Sequence, residues 1–327
     1  MAERKLLLIF PGQGSQYVGM GSDLVDEFPE ARNVYERASA VVGYDMRELS
    51  FEDPRDELNK TRFTQPALLT HEVACLEAFR ALAGDAVGTP ALAAGHSLGE
   101  YSALVAAGAL TFERALGLVS ERGRLMSELG RGGMLATTLD VDSARDLADK
   151  HFCGIGGCNL PDQTVVAGEE RDLDALTAEM AERHKGKRAI RLNTEGAFHT
   201  YLMVSAAQPF REVLETAQLE PLSFGVLSNY TGGLHDAEPS AIRSRLFFQL
   251  FNPVLWFDCL NTALDTGIDT IVELGGGIGK GASPAEKRPN LEGMVKKTLK
   301  SRDDGAQYLP AINAAGIRAA VQQLIGD

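Results

Sequence analysis

The chain has 327 residues, 44% of them hydrophobic, and a formal net charge of −13. That acidity excludes nucleic acid or an anionic membrane as the main partner, because phosphate binding needs a basic field. Only five consecutive apolar residues, Leu6 to Phe10, open the chain, too few for a secretory core or a membrane span, and Cys75, Cys153, Cys158 and Cys259 are scattered; a cytoplasmic protein with reduced thiols and no metal site is expected.

Short apolar runs alternate with longer helical ones, the pattern of an α/β fold with a largely parallel sheet. Leu6 to Phe10 reads as a first strand ending in the breaker-rich "PGQGSQ". Helices are expected over 30–42 and 66–83, the second with Pro66 in its first turn. "ALAAGHS" reads as a buried strand entering a turn, and a further helix follows. Thr111 is a plausible N-cap of the next helix, which Gly130, Gly132 and Gly133 stop. Between Met134 and Arg191 the rhythm becomes β-α-β-β-α-β, the signature of a ferredoxin-like unit inserted into the main body. After it come a helix near 201–217, strands at "FGVLSN" and "TIVELGGG", and one helix between those strands.

Within "GHSLGEYSALVAAGAL", Ser97 sits in G-x-S-x-G spacing between a predicted strand and a predicted helix. Glycines there serve close packing, or they give a strained serine room to react. A helix starting at the serine offers unpaired N–H groups and a positive dipole end, both suited to a developing oxyanion. A serine nucleophile needs a base. His71, His151, His184 and His235 read as surface or satisfied core residues, and His96 points to the opposite face of the strand from Ser97. His199, in "TEGAFHTYLM" where the inserted unit rejoins the body, is the remaining candidate. No aspartate stands out as a third member, which leaves open a dyad whose imidazole is oriented by a backbone carbonyl. Arg122 lies on the apolar face of its helix beside Leu118, Val119, Leu125 and Met126; it needs an anionic partner, either an internal carboxylate or one carried by a substrate.

Six segments, "FPGQGSQYVGMG", "TQPAL", "GHSLGEYSALVAAGAL", "ERGRLM", "GAFHTYLM" and "QLFNPVLW", together resemble the malonyl-CoA:acyl carrier protein transacylases and the acyltransferase domains of polyketide synthases. The likeness runs from Leu6 to Glu273. It implies an α/β-hydrolase-like large subdomain, 1–132 and 198–327, carrying a ferredoxin-like small one, 133–197. It further implies Ser97 as the acyl-bearing nucleophile, His199 as its base, the backbone N–H groups of Gln13 and Leu98 as an oxyanion hole, Arg122 as the holder of a malonyl carboxylate, and the Gln249 carbonyl as the group orienting His199. Phe198 before the base favours malonyl over branched units, since a ring leaves little space at the α-carbon. The implied reaction is ping-pong transfer from malonyl-CoA to the phosphopantetheine thiol of an acyl carrier protein, without a bound cofactor. Transfer of another or substituted malonyl unit, and hydrolysis of stalled acyl groups, are the alternatives. Discrete relatives of this kind are commonly monomers.

One segment departs from the family pattern. Where Glu-x-Gly-Pro-Gly is usual, "ELGGG" puts Gly276 in the proline's place, followed by a polar, basic stretch. This fits a free-standing enzyme of a polyketide assembly line. Lys280, Lys287, Arg288, Lys296, Lys297, Lys300 and Arg302, with Lys185, Lys187 and Arg188 on the small unit, form the candidate docking surface for an acidic carrier protein.

Overall fold

The computed structural model describes residues 4–326, so the expected subdomain ranges begin and end outside the described residues. The first strand, β1 (Leu6–Phe10), is buried along its whole length. Its side chains alternate between two cores: Leu6, Leu8 and Phe10 pack into one, Leu7 and Ile9 into the other. A strand that is apolar on both faces must be covered on both, which is why it lies at the centre of the sheet.

Three short helices follow, α1 (Ser22–Glu27), α2 (Pro29–Val42) and α3 (Met46–Phe51), then the long α4 (Thr61–Ala83). The last begins five residues before the expected position, so Pro66 lies inside it rather than in its first turn. The early start has a long-range cause: the Thr61 N–H donates to Glu195 Oε2 at 2.5 Å, a cap that no local pattern signals. Next come β2 (Leu92–Gly95), α5 (Gly99–Ala106) and α6 (Phe112–Leu129), whose N-cap is Thr111 as expected, its hydroxyl accepting from Arg114 N.

The inserted rhythm is β3 (Gly133–Thr137), α7 (Val141–Lys150), β4 (Gly154–Leu160), β5 (Gln163–Gly168), α8 (Glu170–Arg183) and β6 (Ala189–Arg191). These strands form an antiparallel sheet in the order β4-β5-β3-β6, the ferredoxin-like arrangement read from the sequence. The insertion is tied at its neck, where Ala197 N donates to Arg131 O at 2.8 Å, and along β4, where Cys158 N donates to Val254 O at 2.8 Å.

The chain continues through α9 (Val204–Thr216), β7 (Gly225–Val226), α10 (Pro239–Gln249), α11 (Trp256–Asp265), β8 (Thr270–Leu274), α12 (Glu292–Arg302), β9 (Gln307–Ala311) and α13 (Ala314–Gly326). Two helices, not one, separate β7 from β8; "FNPV" divides them because Pro253 cannot continue a helix. The large sheet runs β7-β2-β1-β8-β9 with every pairing parallel. The loops after β1, β2 and β8 therefore leave from the same edge, the carboxyl end where ligands bind in open α/β sheets.

Candidate active site

Ser97 occupies the turn between β2 and α5 with φ of 54°, a left-handed conformation that costs a non-glycine residue energy and persists where surrounding contacts over-determine it. The flanking glycines are obligatory. A Cβ on Gly95 would lie 1.8 Å from the Gly99 carbonyl carbon, and one on Gly99 would lie 2.3 Å from Phe10 O. Both the close packing and the strained serine turn thus come from the same two residues. The Ser97 N–H donates to Asn229 Oδ1 at 2.6 Å, and Asn229 Nδ2 donates to Gly95 O at 2.7 Å, locking the turn.

His199 also has a positive φ, 64°, and its N–H donates to Leu250 O at 3.1 Å. Its Nε2 lies 2.7 Å from Ser97 Oγ, while Nδ1 lies 2.7 Å from the Gln249 backbone carbonyl. A carbonyl can only accept, so Nδ1 carries the hydrogen and Nε2 presents its lone pair to the serine O–H. Burial, and secondarily the Arg122 charge, push the His199 pKa down to about 3. The imidazole is neutral across the physiological range.

Arg122 is 1% exposed. Its Nη1 donates to Gln65 Oε1 at 2.8 Å, and its Nη2 to Gln249 Oε1 at 3.0 Å and to Ser97 Oγ at 3.2 Å. Its Nε has no acceptor, and no carboxylate pairs with it among the described residues. Of the two partners expected from the sequence, the internal carboxylate in direct contact is thus excluded. A buried carboxylate does stand one amide away: Gln249 Nε2 donates to Glu100 Oε2 at 2.9 Å. Glu100 also accepts from Asn229 N at 3.0 Å and faces His235 Nε2 at 2.7 Å.

Ser97, His199 and Gln13 open onto a cavity of about 290 Å³, walled by Phe198, Met134 and Leu291. Gln13 Nε2 donates to Thr61 Oγ1 at 3.1 Å. The backbone N–H groups of Gln13, in the loop after β1, and of Leu98, at the start of α5, find no acceptor among the described residues. His96 lines the same cavity, its Nε2 lying 3.0 Å from Asn159 Oδ1. Among the described residues no cluster of three or more His, Cys, Asp or Glu is arranged to hold a metal, and no helix is long and apolar enough to cross a membrane.

Comparison with known proteins agrees with this architecture. The acyl transferase domain profile matches residues 7–275. The chain belongs to the acyl transferase family. It is 36% identical over 302 residues to the malonyl CoA-acyl carrier protein transacylase of Bacillus subtilis, covering 90% of each chain. It is 37% identical over 273 residues to the polyketide biosynthesis malonyl CoA-acyl carrier protein transacylase BaeC of Bacillus velezensis, covering 82% of this chain and 92% of that one. Among solved structures, a type II polyketide synthase malonyl-transacylase in complex with its acyl-carrier protein, AntF, superposes with a TM-score of 0.86 at 34% identity, covering 98% of this chain and 99% of that one. The expected family and its two-part fold therefore hold.

Four supporting residues of this acyltransferase site were not among the sequence candidates: Gln65, Glu100, Asn229 and His235. His235, read as a surface or satisfied core residue, is a core residue buried against Glu100. Gln65 and Glu100 lie inside segments already singled out, "TQPAL" and "GHSLGE", and an inward-facing polar residue on a buried helix was the available signal. Asn229 and His235 sit in loops with no periodic pattern to place them.

Proposed function

We propose that the protein transfers a malonyl group from CoA to the phosphopantetheine thiol of an acyl carrier protein through a Ser97 ester. His199 Nε2 takes the Ser97 proton as Oγ attacks the thioester carbonyl carbon. The tetrahedral oxyanion, held by the N–H groups of Gln13 and Leu98, collapses and expels the CoA sulfur, which receives the proton from His199. The carrier thiol then gives its proton to His199 and attacks the ester carbonyl; as the new thioester forms and the bond to Ser97 Oγ breaks, His199 returns the proton to Ser97. General-base assistance of this kind is worth roughly 10²–10⁴ in rate. Gln249 keeps the imidazole in the tautomer the cycle needs, and no cofactor enters it.

The observation that carries the malonyl reading is Arg122: buried, without a carboxylate in contact among the described residues, and 3.2 Å from the nucleophile oxygen. Its planar guanidinium suits a substrate carboxylate held in two-point fashion. Because the Arg122 charge helps hold the His199 pKa down, a malonyl carboxylate on Arg122 raises the basicity of His199 as the reaction begins. Phe198 on the cavity wall limits bulk at the α-carbon.

The large subdomain is taken as 1–132 and 198–327, with 133–197 as the small one, and the enzyme as a cytoplasmic monomer. Its carrier-docking face is centred on a groove of about 590 Å³ lined by Lys185, Lys187, Arg188 and Lys297, which shares Ala136 and Gln163 with the reactive cavity. Of the other basic candidates, Lys296 pairs with Glu292 and Arg302 with Asp265, and Lys287 lies over the Tyr17 ring. These three contribute less. Lys280, Arg288 and Lys300 remain on the rim of the proposal.

Intact-protein mass spectrometry after incubation with malonyl-, methylmalonyl- and acetyl-CoA, followed by a chase with carrier protein or water, tests the reading. Malonyl should load selectively and leave only for the thiol. Discharge to water as fast as to carrier assigns a hydrolase instead, and loading by acetyl in preference to malonyl removes the role of Arg122.

A further inference from the structure

Glu273, the first residue of the departing "ELGGG" segment, takes no part in the chemistry described above, yet it is fully buried at the end of β8. Its Oε1 accepts from the backbone N–H groups of Asn290 at 2.8 Å and Leu291 at 3.0 Å, and Leu291 N reaches Oε2 at 3.2 Å. Oε2 also accepts from the Tyr308 hydroxyl at 2.6 Å. Asn290, Leu291 and Met294 form part of the wall of the reactive cavity. Between Glu273 and that wall the chain makes an excursion, turning at Gly275 and Gly276, whose φ values are 84° and 66°. A proline at 276 would need φ near −65°, so glycine is required for this path. The excursion runs out through a pairing of Ile278 with Arg288 and comes back beneath the carboxylate.

We propose that Glu273 is a positioning residue for substrate: its carboxylate fixes the 290–294 wall, and with it the start of α12, against the large sheet. The proposal rests on the transferase reading for its substrate and adds a residue to it. A charge-assisted bond to two adjacent backbone N–H groups is about twice as strong as the neutral equivalent, and here it closes a long excursion at one point. Lys297, in the basic groove, rides on the same helix.

Burial raises the Glu273 pKa to about 7. The ionisable groups facing it are Tyr308 on β9, Glu292 on α12 with Lys296 paired to it, and Glu72 on α4, whose own pKa it raises. No cation pairs directly with the Glu273 carboxylate among the described residues. When protonated, Glu273 donates from Oε2 to Tyr308 and keeps only neutral acceptance from the wall. The wall is therefore held more weakly as pH falls through about 7.

The test measures the apparent KM for malonyl-CoA and the maximal rate of acyl-enzyme formation from pH 6 to 8.5 in wild type, Glu273→Gln and Tyr308→Phe. In wild type the KM should rise as pH falls, with little change in maximal rate. Glu273→Gln, which mimics the protonated form, should show a KM raised about 3–10-fold at pH 8, the scale of one charge-assisted bond made neutral, with no pH dependence. Tyr308→Phe keeps the carboxylate but removes a bond that favours its ionised form, so its KM inflection should move to higher pH. The proposal is overturned if Glu273→Gln keeps the wild-type KM profile, if its loss appears in the maximal rate alone, or if Tyr308→Phe leaves the inflection unmoved. Loading of the wild-type protein by malonyl-CoA reports on the transferase reading independently of residue 273.

Discussion

The two sheets that meet at the cavity contribute different things to it. From the loops and helices around the large parallel sheet come Ser97, Gln13, Arg122 and the carbonyl that orients His199, each held by hydrogen bonds that cross from element to element. From the small antiparallel sheet come Met134, Ala136, Gly156, Gly157, Asn159, Gln163 and Val165, residues that give the cavity a shape but no charge. Reactive groups tolerate little displacement, because a hydrogen bond weakens steeply with misalignment. A wall can be redrawn one methylene at a time for about 1–3 kcal/mol of discrimination. The division predicts that substitutions on the first side cost transfer itself or, at Arg122, the transfer of acyl groups that carry a carboxylate, and that those on the second shift the choice among malonyl units of different bulk.

The most severe way to break that comparison is Ser97→Ala, which should abolish the covalent adduct and lower transfer by at least ~10⁴-fold, as loss of a nucleophile does in serine enzymes. A detectable adduct in intact mass would move the chemistry to another residue. Arg122→Ala should lower malonyl loading by roughly 10²–10³-fold, two charge-assisted bonds being lost, while acetyl loading falls much less; equal losses for both would make Arg122 structural. Val165→Ala on the small sheet should leave malonyl transfer within about twofold and raise methylmalonyl loading by about 3–10-fold, the value of one or two methyl groups of space. A collapse of malonyl transfer in that variant would erase the distinction between the sheets. The smallest effect concerns pH. In the substrate-free protein His199 is held neutral with its pKa down to about 3, so its ring NMR signals should show no protonation from pH 8 to 5, where an ordinary imidazole has mostly gained a proton; a titration centred near 6.5 would show an imidazole far less buried than this one.

The sequence made the elements legible where their pattern is local. Leu6–Phe10 is apolar on both faces, the inserted unit repeats its short strands and helices in a fixed order, and "GHSLG" pairs a serine with glycines at a strand-to-helix turn. With no aspartate standing out as a third member, a backbone carbonyl behind the imidazole stayed open, and the Gln249 carbonyl stands there at 2.7 Å. What stayed hidden depends on partners distant in the chain. Glu100 accepts from Asn229, 129 positions away, and faces His235, 135 positions away, and neither distance leaves a trace in hydrophobic period. The early start of α4 was missed for the same reason, since its cap, Glu195, belongs to the far side of the insertion. Arg122 could be seen to face inward, but only the folded chain shows that its nearest buried anion is kept one amide away.

The neck of the inserted sheet, closed by Ala197 N to Arg131 O, makes the molecule suited to transplantation. A segment exchanged between these two positions brings in a new selectivity surface while Ser97, Arg122 and His199 stay anchored to a framework it does not include. Such a graft must carry over two docking points, Glu195 under the first turn of α4 and the edge of β4 that meets Val254. With those kept, the part of the choice that rests on the small sheet becomes a replaceable cassette, while Arg122 and Phe198 stay with the framework.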